Sequence, residues 1–382
     1  MNRVVVRYGE LSTKGRPVRR NMEEQLRSNL AAALDARDID GDVERTAGRL
    51  IVDTEDADAA ADAASDLPGV VSASPARTVA PETDAVYEAL AELARERDDE
   101  FDTYAVRASR AGDHPFTSPQ LEREGGAAVG EAVDAAVDLE DPDIRFEADV
   151  RHQVAYVFAE RREGPGGLPV GTQEPLVALV SGGIDSPVAA FEAMRHGSPV
   201  IPVYVDLGDY GGVDHRARAI SACERLAERA PNHDITPYVV DGGETVAHIA
   251  QHVDRGRMLS LRRYFFAVAE AIGEQEDAAG IVTGEVLGQK SSQTARNLQV
   301  TSAAVEMPVH RPLFSVDKPE IVERAKVLGT FEDAGISAGC NRLAPDKPET
   351  KGRLEGLLKV EPDDVFERAR ADAADAERVD PF

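Results

Sequence analysis

Leu179-Val180-Ser181-Gly182-Gly183-Ile184-Asp185-Ser186-Pro187 sets an apolar strand end, a loop of small residues and a helix start in direct succession. Such a turn is a seat for phosphate. Gly182 and Gly183 let the backbone approach an anion, and Ser181 and Ser186 offer hydroxyls. The amides of a helix entered at Pro187 present the positive end of its dipole. The Gly-Lys-Ser/Thr ending of a Walker A loop is missing, and with it the lysine that grips terminal phosphates. Attack is therefore expected at an α-phosphate, with pyrophosphate leaving. Short Gly/Ser loops also serve as plain turns, but the strand over Pro175–Val180 and the apolar helix behind it supply the context a phosphate loop needs.

Outward from this loop, strands near 176–180, 200–205, 236–240 and 280–283 alternate with helices. That alternation predicts a doubly wound parallel sheet, with ligands at the carboxyl ends of its strands. Upstream, Gly164-Pro165-Gly166-Gly167 reads as a linker. Before it the pattern is different. A strand at Val4–Val6, a helix over Pro17–Ala36, strands at Asp42–Thr46 and Arg49–Asp53, a helix at Ala57–Asp66 and a strand at Val70–Ala73 follow the ferredoxin-like order β-α-β-β-α-β. From Thr83 come helix, strand, helix and two strands, ending at Ala159.

Three further segments are expected at the loop. Val200–Val205 ends in Asp206-Leu207-Gly208, either a plain strand end or a place where backbone groups read an adenine edge while Asp206 reaches the nucleotide or its metal. Ile281-Val282-Thr283-Gly284-Glu285-Val286-Leu287-Gly288-Gln289-Lys290-Ser291-Ser292-Gln293-Thr294 gathers hydroxyls and amides around one lysine, and Lys290 is a candidate for neutralising charge on a departing phosphate. Arg262 and Arg263 lie on a helix with an apolar face and are solvated unless position brings one to the nucleotide. Cys340, in Gly335-Ile336-Ser337-Ala338-Gly339-Cys340-Asn341-Arg342, is either inert or a nucleophile in an electropositive loop. Cys223 reads as a core or helix-face cysteine.

The 382 residues carry a net charge of −27 with 30% charged side chains, and the acidic residues are spread along the whole chain. This predicts a surface adapted to high salt, as in a halophile, rather than an acidic face for a basic partner. At molar salt the Debye length falls to about 3 Å, so a polyanionic substrate must be held by local contacts. Two cysteines make neither a disulfide framework nor a metal site, and no metal ligands are expected. No apolar run is long enough to span a membrane and the start lacks signal-peptide architecture, so a cytoplasmic location is expected.

Ser181-Gly182-Gly183-Ile184-Asp185-Ser186 resembles the loop of the N-type ATP pyrophosphatases. Together with Val188-Ala189-Ala190, Gly284–Thr294, His310-Arg311-Pro312-Leu313, Asp317-Lys318-Pro319-Glu320-Ile321 and Cys340, it resembles the tRNA 4-thiouridine synthetase (tRNA sulfurtransferase) family. The front half agrees. Arg7-Tyr8-Gly9-Glu10-Leu11-Ser12-Thr13-Lys14-Gly15 is similar to that family's opening, and Pro68-Gly69-Val70 with Gly166-Gly167-Leu168-Pro169-Val170-Gly171 resembles its THUMP segment.

The resemblance implies a ferredoxin-like domain over 1–60, a THUMP domain over 61–165 and a PP-loop ATP pyrophosphatase domain over 171–382. It also implies adenylation of the C4 oxygen of uridine at position eight of tRNA by ATP with Mg²⁺, followed by displacement of AMP by sulfur. The implied nucleotide contacts are Val180, Ser181, Val205, Asp206, Arg262, Gly284 and Gln293, beside Gly182, Gly183 and Ser186 of the phosphate seat itself. Asp185 and Lys290 then stand near the reacting groups, and Cys340 is the acceptor-loop cysteine. Lys14, Arg16, Arg19 and Arg20 form a local anchor for RNA. The resemblance further implies sulfur for the thiamine thiazole, through a thiamine sulfur-carrier protein, and a homodimer.

A short form without a rhodanese domain is expected, and the paired cysteines that hold a cluster in other relatives are missing. Sulfur then comes either as a persulfide on Cys340, from a cysteine desulfurase, or as free sulfide. The rival readings are another adenylating PP-loop enzyme, such as an amidotransferase or a 2-thiocytidine synthetase, and a non-catalytic tRNA-binding protein.

Overall fold

Residues 3–46, 48–211, 213–331 and 342–381 are described in a computed structural model of the chain, Ser12 and Val213 by their backbone alone. The chain divides into two compact units between Leu168 and Pro169.

The first unit opens with β1 (Arg3–Arg7), α1 (Arg16–Asp35), β2 (Asp42–Thr46), β3 (Arg49–Asp53), α2 (Ala57–Ser65) and β4 (Ser72–Val79). Val4 and Val6 alternate with Val5, which is buried on the other face, so one sheet face collects the leucines of α1 and the alanines of α2 into a core with Leu50 and Val52. The strands pair antiparallel in the order β2-β3-β1-β4, which is the ferredoxin-like sheet expected. Residue 60, the expected end of that region, falls inside α2.

β4 runs further than the expected Val70–Ala73. Its first half pairs with β1, and Arg77–Val79 pair with the second group of strands. Pro75 sits in this strand because one edge is free of a ladder there: pairing to β9 covers Ser72 and Ala73, and pairing to β8 begins at Arg77. That second group comprises α3 (Thr83–Glu96), β5 (Thr103–Arg110), α4 (Ser118–Ala132), β6 (Ala136–Val137), β7 (Ile144–Val150), β8 (Ala155–Phe158) and β9 (Arg162–Glu163). Its strands continue the sheet as β4-β8-β7-β5-β6, with α3 and α4 packed on Phe146, Val106 and Val157. The glycine segment read as a linker is docked instead. Gly166 N donates to Val70 O at 2.7 Å, and a side chain on Gly164 would meet Val70 O at 2.4 Å, so only glycine permits that approach.

The second unit runs β10 (Leu176–Leu179), α5 (Asp185–Arg195), β11 (Val200–Asp206), α6 (Val213–Ala227), β12 (Tyr238–Asp241), α7 (Gly243–His252), α8 (Arg257–Gln275) and β13 (Ile281–Val282). It continues with α9 (Ala295–Ser302), β14 (Val309–His310), α10 (Lys318–Leu328), α11 (Leu354–Leu357), α12 (Val365–Ala374) and β15 (Glu377–Arg378). The sheet order is β14-β13-β10-β11-β12-β15, parallel except for β15 at the edge. Apolar strands buried on both faces carry α5, α6 and α10 on one side and α7, α8, α9 and α12 on the other. This is the expected doubly wound sheet.

The chain leaves β10 toward β11 and β12, then returns to the opposite side of β10 at β13. The strand order therefore reverses between β10 and β13, where open α/β sheets bind ligands. No helix among the described residues is long and apolar enough to cross a membrane.

Candidate functional site

At the carboxyl end of β10 the chain turns through Ser181–Ile184 into α5, which begins at Asp185, two residues before the expected Pro187. Pro187 is tolerated in this first turn because amides there have no intrahelical acceptor. Ser186 Oγ accepts from Ser181 N at 2.8 Å and lies 2.9 Å from Ser181 Oγ, so the two hydroxyls close the loop. Gly183 N donates to Ser181 Oγ at 3.4 Å.

The segment after β13 meets this loop directly. A Cβ on Gly284 would stand 2.7 Å from Ser186 N and from Asp185 C, so the backbone of one strand end lies flat against the helix start of the other. Between them lies a cavity of about 290 Å³. Its walls include Val180, Ser181, Gly182, Gly183, Asp185, Ser186, Val205, Arg262, Gly284, Lys290 and Gln293. Eleven of the thirteen expected site residues thus converge. Asp206 does not line the cavity; its Oδ1 accepts from Gly208 N at 2.9 Å and shapes the turn after β11. Cys340 lies outside the described residues.

Position on α8 separates the two adjacent arginines. Met258, Leu261, Arg262 and Phe265 recur at helical spacing along one stripe and face the cavity. Arg263 points away, donating to Glu361 at 3.0 and 3.1 Å and to Val300 O at 3.1 Å in the core. Arg262 donates to Glu285, whose other oxygen accepts from Arg311 Nε at 2.9 Å. With its amide oriented to satisfy both neighbours, Gln293 donates to Val286 O at 2.9 Å and accepts from Arg262 at 3.3 Å. One buried carboxylate thus holds two guanidinium groups, leaving an excess of positive charge beside the cavity.

Asp185 is clamped from two directions. Lys318 Nζ donates to Oδ1 at 2.5 Å and Gln289 Nε2 to Oδ2 at 3.3 Å. Lys318 supplies, from α10, the cation that the loop lacks. It stands in the quoted Asp317-Lys318-Pro319 motif, but no spacing rule ties that motif to the loop. Glu285, Arg311 and His215 also went unread as site residues. Cys223 is fully buried in the core, which pushes its thiol up to about 12 and fits the core reading.

The family model "Thiamine biosynthesis protein (ThiI)" matches residues 171–364, the ThiI ferredoxin-like domain residues 3–74 and the THUMP domain residues 80–160. A probable tRNA sulfurtransferase of Halobacterium salinarum is 52% identical, with 99% of this chain and 97% of that protein covered. One from Methanosarcina mazei is 36% identical over 99% of this chain and 95% of its own length. A crystal structure of a 4-thiouridine synthetase–RNA complex with bound ATP superposes with a TM-score of 0.86 at 28% identity, covering 99% of this chain and 98% of that one.

Proposed function

The chain belongs to the ThiI family of tRNA sulfurtransferases, and on that premise we propose that it is a tRNA uracil 4-sulfurtransferase that uses ATP to convert uridine at position eight of tRNA to 4-thiouridine. The observation that carries the reading is the meeting of the Ser181–Ser186 loop with Gly284 at the reversal of strand order, beside Arg262, Lys290 and the Asp185–Lys318 pair. Whole-length similarity to tRNA sulfurtransferases, and to a synthetase structure that holds RNA and ATP, supports the same reading over an amidotransferase or a non-catalytic RNA-binding protein.

In this reading the loop amides and the start of α5 receive the phosphates of ATP, while the apolar wall of Met258, Leu261 and Phe265 receives the base. The uridine C4 oxygen attacks the α-phosphate and pyrophosphate leaves, its charge met by Lys290 and Lys318. Sulfur then displaces AMP. The described residues gather no group of three or more His, Cys, Asp and Glu fit for a metal. Mg²⁺ therefore fits here as an ion carried on the triphosphate, with Asp185 as the carboxylate beside it.

The part before residue 165 would hold the RNA, and 171–382 would carry out adenylation. Lys14, Arg16 and Arg20 are exposed and suited to phosphate contacts, whereas Arg19 donates to Glu23 at 2.7 Å. Sulfur reaches the site as a persulfide on Cys340 or as sulfide, in the cytoplasm. Supply to a thiamine sulfur carrier and a homodimer belong to the same proposal. Pyrophosphate release measured with and without unmodified tRNA tests it, since release must depend on the RNA.

A further inference from the structure

Resting on that reading, we propose that His215 is the general base that removes the N3 proton of the target uridine as its C4 oxygen attacks ATP. A neutral uracil oxygen is a poor nucleophile. When O4 forms its bond to the α-phosphorus, the electron pair of the broken P–O bond leaves with pyrophosphate, and a C4=N3 double bond forms in the ring as the N3 hydrogen departs. Something at the site must accept that proton.

Besides the phenol of Tyr204, the ionisable side chains that line the cavity are Asp185, His215, Arg262, Glu285 and Lys290. Two are cations and accept nothing. Glu285 is buried between Arg262 and Arg311, and Asp185 is held by Lys318 and Gln289. His215 differs from all four. It stands in the first turn of α6, half-buried in the cavity wall, and no described residue hydrogen-bonds its imidazole. Its backbone packs on the phosphate loop: a Cβ on Gly182 would lie 3.1 Å from His215 O.

Burial, Arg218 on the same helix and Arg342 from the chain near the cavity lower its proton affinity, while Asp214 opposes them. These neighbours favour the neutral ring, whose lone pair can take a proton. A base so placed lines the same cavity as the loop proposed to receive the α-phosphate.

The test uses the full chain with ATP, Mg²⁺, sulfide and unmodified tRNA transcript in molar KCl. In His215→Ala and His215→Gln, pyrophosphate release and 4-thiouridine formation near pH 7 should fall by about 10²–10⁴-fold while the KM for ATP changes little. Added imidazole should restore activity to His215→Ala, and the acidic limb of the wild-type pH profile should be absent from both variants. Activity within about threefold of wild type, or a rise in KM for ATP with kcat unchanged, would overturn the assignment. So would a loss that imidazole does not rescue in variants that still bind ATP. If the wild-type protein itself releases no pyrophosphate on adding tRNA, the sulfurtransferase reading fails and this inference falls with it.

Discussion

Lys318 Nζ stands 2.5 Å from Asp185 Oδ1, and each is the first residue of its helix, α10 and α5. Two helix N-termini thus meet at a carboxylate and its countercharge, beside a loop without a lysine of its own. Lys318→Ala should lower tRNA-dependent pyrophosphate release by roughly 10²-fold, the scale of losing one preorganised electrostatic donor. Asp185→Ala should abolish 4-thiouridine formation. Binding of tRNA, followed by filter retention, should stay near wild type in both.

Glu285 is the shared acceptor of Arg262 and Arg311 and is 1% exposed. Glu285→Gln leaves two guanidinium groups without their carboxylate, which costs about 3–5 kcal/mol when a buried pair is broken. Urea unfolding should show that loss. The surviving folded protein should bind ATP more weakly, because Arg262 no longer has a fixed orientation.

Gly284 admits no side chain without a backbone shift, since a Cβ there meets Ser186 N at 2.7 Å. Gly284→Ala should reduce ATP binding more than global stability, because the displaced element is the start of α5. Gly126, where a Cβ meets nothing, is the control: Gly126→Ala should leave ATP binding unchanged.

The two cysteines should behave differently. Cys223, raised from 9.0 to about 12 by burial, keeps its proton in the folded chain while the unfolded thiol ionises above pH 9. The unfolded state then binds fewer protons, so stability falls as pH rises from 9 toward 12, by about 1.4 kcal/mol per pH unit from this group. Cys223→Ala should remove that component of the slope in urea titrations without changing turnover. Cys340→Ser should lose turnover with a desulfurase as donor and keep it with sulfide if the persulfide route operates.

Both architectures were legible because their signals are local. The apolar run before Ser181 and the alternation in Val4–Val6 need no distant partner to be read, and the glycines of the phosphate loop announce its chemistry. What escaped depends on distance along the chain. The strand expected at Val70–Ala73 runs on through Pro75 only because its neighbour ladder has a gap there, and Gly164–Gly167 reads as a linker until Val70 is seen beside it. Arg262 and Arg263 are indistinguishable in sequence, yet helical phase sends one to the cavity and the other to Glu361. Lys318 lies 133 positions from Asp185, and only the sheet and the packing of α10 on α5 bring them together.

In the proposed reaction a nucleobase oxygen is activated by joining it to AMP. That step is tested most directly by incubating the full chain in molar KCl with ATP, Mg²⁺, sulfide and unmodified tRNA, then quantifying AMP, pyrophosphate and 4-thiouridine together. Equal amounts of the three, all lost when tRNA is omitted, are expected. Thiolated tRNA without AMP, or AMP and pyrophosphate formed at the same rate without tRNA, would contradict the account.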